Sequence, residues 1–434
     1  MAIYPIGLIA RGYTPLLFTW DGLYTFTATG PSASPMTRPV PMPSTFTGML
    51  ASLANVSVAG KTPVEEVAKL AGEALGCKDY RIRGYLLMLD RSVCTGNIGE
   101  FESLYIMVDL RGYNPLFWVE RLRPSSLSDL MINVEAWVKT GVALSIEDRV
   151  VIGARMRTRN LDGGPGAYTV LYTPPEMRKA DNRMCIGVYA ELFCEGDEKP
   201  KRILGVLGGD RGIAEVVTSK PILYESLKDE WNKVRQLTNA SVRSIRCSFY
   251  ALLASPLPLT VKEAEELVNN GKVLGNNMEQ RNATLAATSS RLASRLGVSR
   301  IELSIETPSR WEVRKLLETI LEGEGALREK LEKLLQPRLT ARGIGYDIAY
   351  NAPRPYHVML EPGGIIAIEV KIQDTIGSQA DLPARLLEAI YVEGIADDSL
   401  AKLGWGTVIP TTLPRLHPLA ATQYKPRPIC VPYV

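Results

Sequence analysis

TRPVPMPSTFTGMLASLAN, residues Thr37 to Asn55, straightens the chain and then sends it at once into a helix. Prolines at 39, 41 and 43 fix φ and bar the residues before them from the α region, so TRPVPMP reads as extended. Ser44 or Thr45 is a good N-cap, and Phe46, Met49, Leu50 and Leu53 recur at helical spacing to give one apolar face. Gly48 inside that helix costs about 1 kcal/mol against alanine, so it permits a close approach. Two approaches fit: another backbone packed tightly on the helix, or an anion such as phosphate facing the N–H groups at its start.

A chain of 434 residues has room for two or more domains, and 46% hydrophobic with 22% charged residues is the make-up of a globular protein. The start, MAIYPIGLIARGYTPLLF, lacks a basic region followed by a long apolar core, and no segment reaches about 18 uninterrupted apolar residues. A soluble, cytoplasmic protein with no membrane contact is expected. Lys and Arg number 50 against 47 acidic residues, a net charge of +3, which excludes a uniformly basic coat and leaves room for a local basic groove. The six cysteines, at 77, 94, 185, 194, 247 and 430, form no C-x-x-C pair, so no zinc site, and more broadly no metal or cofactor, is expected. Cys185 and Cys194 have opposite parity in CIGVYAELFC and would face opposite ways on one strand. Reduced thiols are the expectation, an intracellular hyperthermophile being the exception.

Along the chain, Asp21-Gly22 marks a hairpin turn, and Thr62 with Glu65 forms a capping box that opens a second helix. YRIRGYLLMLD, SLYIMVDLRG, MCIGVYAELFC and RILGVLGGDRGIAEVV read as strands, the last around a Gly-Gly-Asp-Arg-Gly turn at 208–212, and ESLKDEWNKVRQL reads as a helix. GVALSIEDRVVIGARMRTRN and GAYTVLYT, joined by the flexible NLDGGPG, read as a protruding ribbon with Arg155, Arg157 and Arg159 spaced by two along one side. Such a row of like charges wants water or phosphate opposite.

SIRCSFYALLASPLPLT, from Ser244, reads as a fresh domain start. Thr260 with Glu263 and Ser309 with Glu312 cap helices, Glu324 to Leu335 reads as a charged helix stopped by Pro337, and NNGKVLGNNMEQRNATLAATSS between them reads as a polar loop or insertion. EPGG, 361–364, reads as the turn of a hairpin between YHVML and IIAIEV. The G-x-G pairs at Gly343/Gly345 and Gly404/Gly406 lack the strand-to-helix context of dinucleotide binding, and no phosphate-binding P-loop is present.

P41-M-P-S-T-F-T-G-M-L50, behind an N-terminal strand and hairpin, resembles the P-x-P-S-T-x-x-G-x-L element of the RAMP proteins of CRISPR systems. Within that superfamily the chain resembles the branch of the third subunit of the Cmr (type III-B) effector complex, related to the fifth Cas family. TGVALSIEDRVV, LGVLGGDRGIAEV with Asp210 in the acidic position, LEPGGIIAIEV and LGWGTVIP are similar in order to that branch's elements. Gly363-Gly364-Ile365-Ile366 departs from its serine-and-aromatic hairpin, and 260–340 matches none of its elements.

The resemblance implies an α+β protein of two ferredoxin-like (RRM-like) domains. Residues 1–243 would hold the first, with a β-hairpin thumb at about 142–174; residues 244–434 would hold the second, with a helical insertion at about 260–340. It implies a non-catalytic RNA-binding subunit that caps the filament of a CRISPR ribonucleoprotein and holds the 5′ handle of the crRNA. Its partners would be the large polymerase-like subunit, the repeating backbone RAMP subunit and, indirectly, target RNA. The implied RNA contacts are Arg38, Ser44, Thr45 and Gly48; Arg155, Arg157 and Arg159 of the thumb; Gly208, Gly209 and Arg211; and Arg342, Gly343, Gly345, Arg354, Lys402, Gly404 and Gly406.

Some RAMP relatives cleave RNA without metal through histidine, tyrosine and lysine, and His357 beside Tyr356 is the one candidate pair for that alternative. His417 is the only other histidine. A metabolic enzyme would draw on Glu65-Glu66, Glu265-Glu266 or Asp397-Asp398, but the first two lie in helices, where acids near the N-terminus favour the dipole.

Overall fold

The structure, a computed structural model, describes residues 4–12, 18, 40–52, 64–90, 103–107, 115–117, 137–139, 141–144, 151–155, 168–170, 185–195, 203–207, 212–232, 234, 244–269, 272–274, 278–320, 329, 332–333, 335–343, 346–347, 352–353, 356–373, 381–411 and 429–432. They form an α+β protein with two large antiparallel sheets. Among the described residues no helix is long and apolar enough to cross a membrane.

The first half begins with β1 (Tyr4–Gly12), α1 (Pro43–Ser52), α2 (Val64–Leu75), β2 (Asp79–Asp90), β3 (Ser103–Met107) and β4 (Pro115–Phe117). Four short strands follow: β5 (Trp137–Lys139), β6 (Gly141–Leu144), β7 (Val151–Arg155) and β8 (Tyr168–Val170). β9 (Cys185–Glu195), β10 (Ile203–Val206), β11 (Ile213–Ser219) and α3 (Ile222–Trp231) complete it. The sheet order is β10-β11-β1-β9-β2-β3-β4. One face carries Leu8, Ala10, Ala190, Leu192 and Ile82, all buried beneath α1 and α2. Tyr80, on that same face, donates to the Ala68 carbonyl of α2 at 2.5 Å.

The second half runs β12 (Ser244–Leu253), β13 (Leu257–Pro258), α4 (Val261–Asn269), β14 (Lys272–Leu274), β15 (Met278–Thr284), α5 (Ala286–Leu296), β16 (Arg300–Thr307) and α6 (Arg310–Ile320). It continues through β17 (Leu339–Gly343), β18 (Tyr346–Asp347), β19 (Ala352–Pro353), β20 (Tyr356–Leu360), β21 (Ile365–Gln373), α7 (Leu382–Glu393), α8 (Asp398–Lys402), β22 (Val408–Thr411) and β23 (Cys430–Pro432). The second sheet is ordered β14-β15-β16-β21-β12-β22, with β23 beside β12. β16 and the paired stretch of β21 alternate along their ladder. Ile301, Leu303 and Ile305 of β16 stand opposite Ile372, Val370 and Ile368 of β21 on the buried face, while Glu302 and Ser304 look outward with Lys371 and Glu369.

Both capping boxes of this half form. Thr260 N–H donates to Glu263 Oε2 at 2.8 Å and Glu263 N–H to Thr260 Oγ1 at 3.3 Å; Ser309 and Glu312 exchange the same pair of bonds. Glu332, buried, takes the Arg310 guanidinium, and Lys333 pairs with Glu329 one turn away.

Three sequence expectations need correction here. The stretch read as a polar loop holds the β14–β15 hairpin, whose second strand pairs with β16 through Arg281 to Thr284. An outer strand wetted on one side has few apolar residues to announce it, and Ala283 is its one described buried residue. The stretch 260–340 is thus not helical throughout: β14, β15 and β16 within it are strands of the second sheet.

The EPGG turn is not a hairpin either. β20 pairs with β13 and β17, whereas β21 pairs with β12 and β16. The turn sends its backbone bonds elsewhere: Glu361 N–H to Arg338 O, Gly363 N–H to Leu253 O, and Ile365 N–H to Leu335 O. Gly363 sits at φ +89°, which glycine adopts without steric cost.

Reduced thiols do not describe this chain. Cys77, just past α2, is bonded to Cys194 on β9, and Cys247 is bonded to Cys430 across β12 and β23. Partners 117 and 183 residues apart meet only in the folded chain. Cys94 and the Cys185 side chain lie outside the described residues.

Candidate nucleic-acid interface

The opening stretch behaves as its prolines dictate, and the helix starts at Pro43, where the missing N–H costs nothing. Val40, Pro41, Met42 and Pro43 are buried, and so are Phe46, Met49 and Leu50. Ser44, Thr45 and Gly48 share the part-exposed side. A Cβ added at Gly48 would meet nothing within 4 Å, so tight packing is not what this glycine serves. The anion reading changes in detail: the Thr45 and Phe46 N–H groups already donate to the Met42 carbonyl, at 2.9 and 3.3 Å. What this turn offers to solvent is the Thr45 side chain beside bare backbone. Arg38 lies outside the described residues.

In the segment expected to form the thumb, β6 pairs with β7 and β5 with β8, two separate two-stranded pairs outside both large sheets. Arg155 ends β7, opposite Gly141. Arg157, Arg159, Gly208, Gly209, Arg211, Gly345 and Arg354 lie outside the described residues. β10 and β11 do form the expected hairpin, closed by the Leu207 N–H donating to the Gly212 carbonyl at 2.8 Å. Arg342 and Gly343 end β17, and in its ladder with β20 they stand opposite His357 and Tyr356. His357 is half-buried.

Lys402, Gly404 and Gly406 are placed differently from the expectation. Lys402 pairs with Asp79 at 3.1 Å and Asp398 at 3.8 Å. Both glycines are buried. A Cβ at Gly404 would stand 2.5 Å from the Tyr85 ring, and one at Gly406 would stand 2.6 Å from the Ala396 nitrogen. Their φ values, +97° and +61°, also favour glycine. They let distant segments of the chain pack closely against one another.

That meeting is a junction between the halves. The second face of the first sheet carries Arg81, Arg83, Tyr189, Glu191 and Phe193, all buried, against α3 and the α7–α8 segment. Arg81 reaches Glu393 at 3.1 Å, Asp79 at 2.9 Å and Asp398 at 3.2 Å. Burial would depress the Arg81 guanidinium, but these three carboxylates outweigh it and hold it above its usual value. Asp79 is held below the ordinary carboxylate range because Arg81 and Lys402 outweigh its partial burial.

Glu191 accepts from the Tyr189 hydroxyl at 2.6 Å, the Tyr391 hydroxyl at 2.7 Å and the Tyr224 N–H at 2.9 Å. Burial nevertheless pushes its carboxyl upward. Around it, Phe193 meets Tyr224 and Tyr391 edge to face at 5.4 and 5.9 Å, and Trp231 packs 5.8 Å from Tyr391. Tyr85, at φ +67° on a bulge in β2, donates to the Leu403 carbonyl at 2.7 Å and meets Phe46 edge to face.

Sequence reading passed over this cluster. Its trace is there in YRIRGY and VYAELF, where charges interrupt otherwise apolar strands at alternate positions. Among the described residues no group of three or more His, Cys, Asp and Glu is placed to hold a metal.

No protein-family model matches the chain, and no curated protein does. Among solved structures, it is similar to a chain of a type III-B Cmr-beta complex bound to cognate target RNA and AMPPnP. The two are 13% identical, over 95% of this chain and 98% of that one, with a TM-score of 0.41. A chain of the type III-B Cmr-beta complex bound to cognate target RNA is 12% identical, over 93% of this chain and 96% of that one, also with a TM-score of 0.41.

Proposed function

We propose that this chain is a non-catalytic RNA-binding subunit of a CRISPR type III effector ribonucleoprotein, built from two ferredoxin-like domains. In the second half, strand, helix, strand, strand, helix and strand follow as β12, α5, β16, β21, α7 and β22, and the strands lie side by side as β16-β21-β12-β22. The first half repeats that side-by-side order with β2-β9-β1-β11, although the β10 strand replaces the second crossover helix among the described residues. The observation that carries the functional reading is the P-x-P-S-T-x-x-G-x-L element at α1. Its apolar residues are buried, while Thr45 and Gly48 stay part-exposed with open space where a side chain would be.

In this reading the α1 start and the ribbon ending at Arg155 hold the sugar-phosphate chain of the crRNA 5′ handle. The protein caps the filament between the large polymerase-like subunit and the first backbone RAMP subunit. Phosphate contact dominates such binding, so the logarithm of the binding constant falls linearly with the logarithm of salt, with a slope of about −0.7 per phosphate on a single strand. Titrating the purified chain with labelled CRISPR repeat RNA at rising salt tests this. Gly48→Glu, at a position where an added Cβ meets nothing within 4 Å, is expected to weaken binding about tenfold by repelling phosphate while its unfolding midpoint is no lower than that of the wild type. A flat salt response, or unchanged affinity in Gly48→Glu, removes the reading. Metal-independent cleavage of the repeat by the wild type, abolished in His357→Ala, would replace it with the endoribonuclease alternative.

A further inference from the structure

Where β2 meets the second half, hydrogen-bond donors exceed acceptors. Arg83 is fully buried. Its Nε donates to the Tyr391 carbonyl at 2.9 Å, and its Nη1 donates to the carbonyls of Ile82 and Ala401, both at 2.5 Å. Its Nη2 is buried and meets no acceptor. Arg291 of α5 donates from Nη2 to the carbonyls of Ala396 at 2.7 Å and Gly394 at 3.4 Å. Its Nε and Nη1 are likewise buried without a hydrogen-bond partner.

Both side chains converge on one turn. A Cβ placed on Gly394 would stand 3.2 Å from Arg83 Nη2, and Arg291 reaches the carbonyls of Gly394 and, two residues on, Ala396. Trp405, whose Nε1 is another buried donor lacking a partner, lies between Gly404 and Gly406, and Gly406 abuts Ala396 of that same turn.

The nearby carboxylates are already engaged. Glu393 takes Arg81 and Arg295, each at 3.1 Å, while Asp79 and Asp398 take Arg81 and Lys402. Arg291 stands 3.9 Å from Glu393 and 3.7 Å from Asp398, beyond hydrogen-bonding distance. Arg83 forms no ion pair with a carboxylate among the described residues. Burial, with Arg81 close by, draws its guanidinium down to about 9.

A guanidinium donates and never accepts. Two of them with three N–H-bearing nitrogens left over ask for a partner that only accepts. Water brings two hydrogens that would need acceptors of their own; an anion brings none. Full enclosure of Arg83 and the close wall at Gly394 suit a monatomic ion better than an oxyanion. We propose that Arg83 and Arg291, beside the Gly394 turn, bind a chloride-sized anion that bridges the two halves of the chain. Its ligands come from β2 on one side and from α5 on the other, so occupancy is linked to the seating of the halves.

Crystals of the full chain soaked in sodium bromide, with data collected at the bromine edge, give the direct test. An anomalous peak within hydrogen-bonding reach of Arg83 Nη2 and Arg291 is expected. In solution, the unfolding midpoint should rise with sodium chloride above its value in sodium gluconate of equal ionic strength, because an ion bound only by the native state stabilises it. Arg291→Gln should lose that chloride-specific rise. Density without an anomalous peak at the site means water and overturns the proposal. Equal midpoints in the two salts also overturn it, including when a peak is seen, since that is binding at crystal concentration only. Should Arg291→Gln fail to fold, the two wild-type measurements still decide.

Discussion

The two sheets place charged residues on their strands in the same way and treat them oppositely. On β2, Arg81 and Arg83 project from the second face of the first sheet into the junction, 8% and 0% exposed. On β12, Arg246 projects from the outer face of the second sheet, its side chain 46% exposed, and pairs with Glu369 beside the Lys371–Glu302 pair. Both faces follow the period of two that any strand shows. The difference is a cover: α3 and α7 lie over the first face, and the ladder of Arg246, Glu302, Glu369 and Lys371 stays at the surface. A buried guanidinium must have its donors met, as Arg83 largely does through three carbonyls, whereas a surface pair exchanges one hydrated state for another.

The largest effect expected from this contrast is Arg83→Ala, which takes a donor from three carbonyls and opens a hole at the junction. It should lower stability by about 3–5 kcal/mol in denaturant titration, and Arg246→Ala by less than about 1 kcal/mol. Similar losses for the two would erase the distinction between the faces.

Next come the disulfides, one tying α2 to β9 in the first sheet and one tying β23 to β12 in the second. Each closes a long loop, so reducing either should cost about 2–5 kcal/mol. Replacing the pairs separately, Cys77→Ala with Cys194→Ala and Cys247→Ala with Cys430→Ala, shows which sheet leans more on its tie. A reduced protein that unfolds at the oxidised midpoint would count against both.

Glu191 sharpens the comparison through pH. Its carboxyl is raised by burial above the ordinary 4.5, so the native state holds the proton more tightly than the unfolded chain. The wild type therefore loses stability, through this group, as pH rises above about 4.5 toward the raised value. Glu191→Gln lacks that titration, and its stability relative to the wild type should climb as pH goes from 4.5 to 8, measured by urea unfolding. A relative fall over that range would show that the carboxylate, not the acid, is the native form.

The smallest effect belongs to α1, a helix covered on one side only. Gly48→Ala should stabilise by about 0.5–1 kcal/mol, because the added methyl group meets nothing and the unfolded chain loses freedom. A destabilised Gly48→Ala would mean that the space beside Gly48 is occupied in the folded protein.

Much of the fold could be read in advance wherever a signal is local. Thr260 with Glu263 and Ser309 with Glu312 are caps whose partners lie three residues away, and both form. The hairpin around 208–212, the strands at Asp79–Asp90 and Cys185–Glu195, and the helix after the proline run all follow from turn chemistry or periodicity. EPGG misleads because a tight turn says that the chain reverses, not that its two arms pair with each other. MEQRNAT was illegible as a strand because its polar residues carry no apolar alternation, and its ladders come from its places beside β14 and β16.

The candidate site divides in the same manner. The α1 element was visible, since prolines and a helical stripe act on their own neighbours. Gly404 and Gly406 were RNA contacts only by resemblance, and no local signal announced Ala396 and, from a distant part of the chain, Tyr85 packed against them. By itself, then, the sequence determined where helices and strands start, stop and alternate, because those choices depend on residues a few positions apart. Tertiary structure alone decided which strand faces are sealed and which cysteines meet. It also decided which charges must find partners out of water, because burial belongs to surfaces assembled from residues hundreds of positions apart.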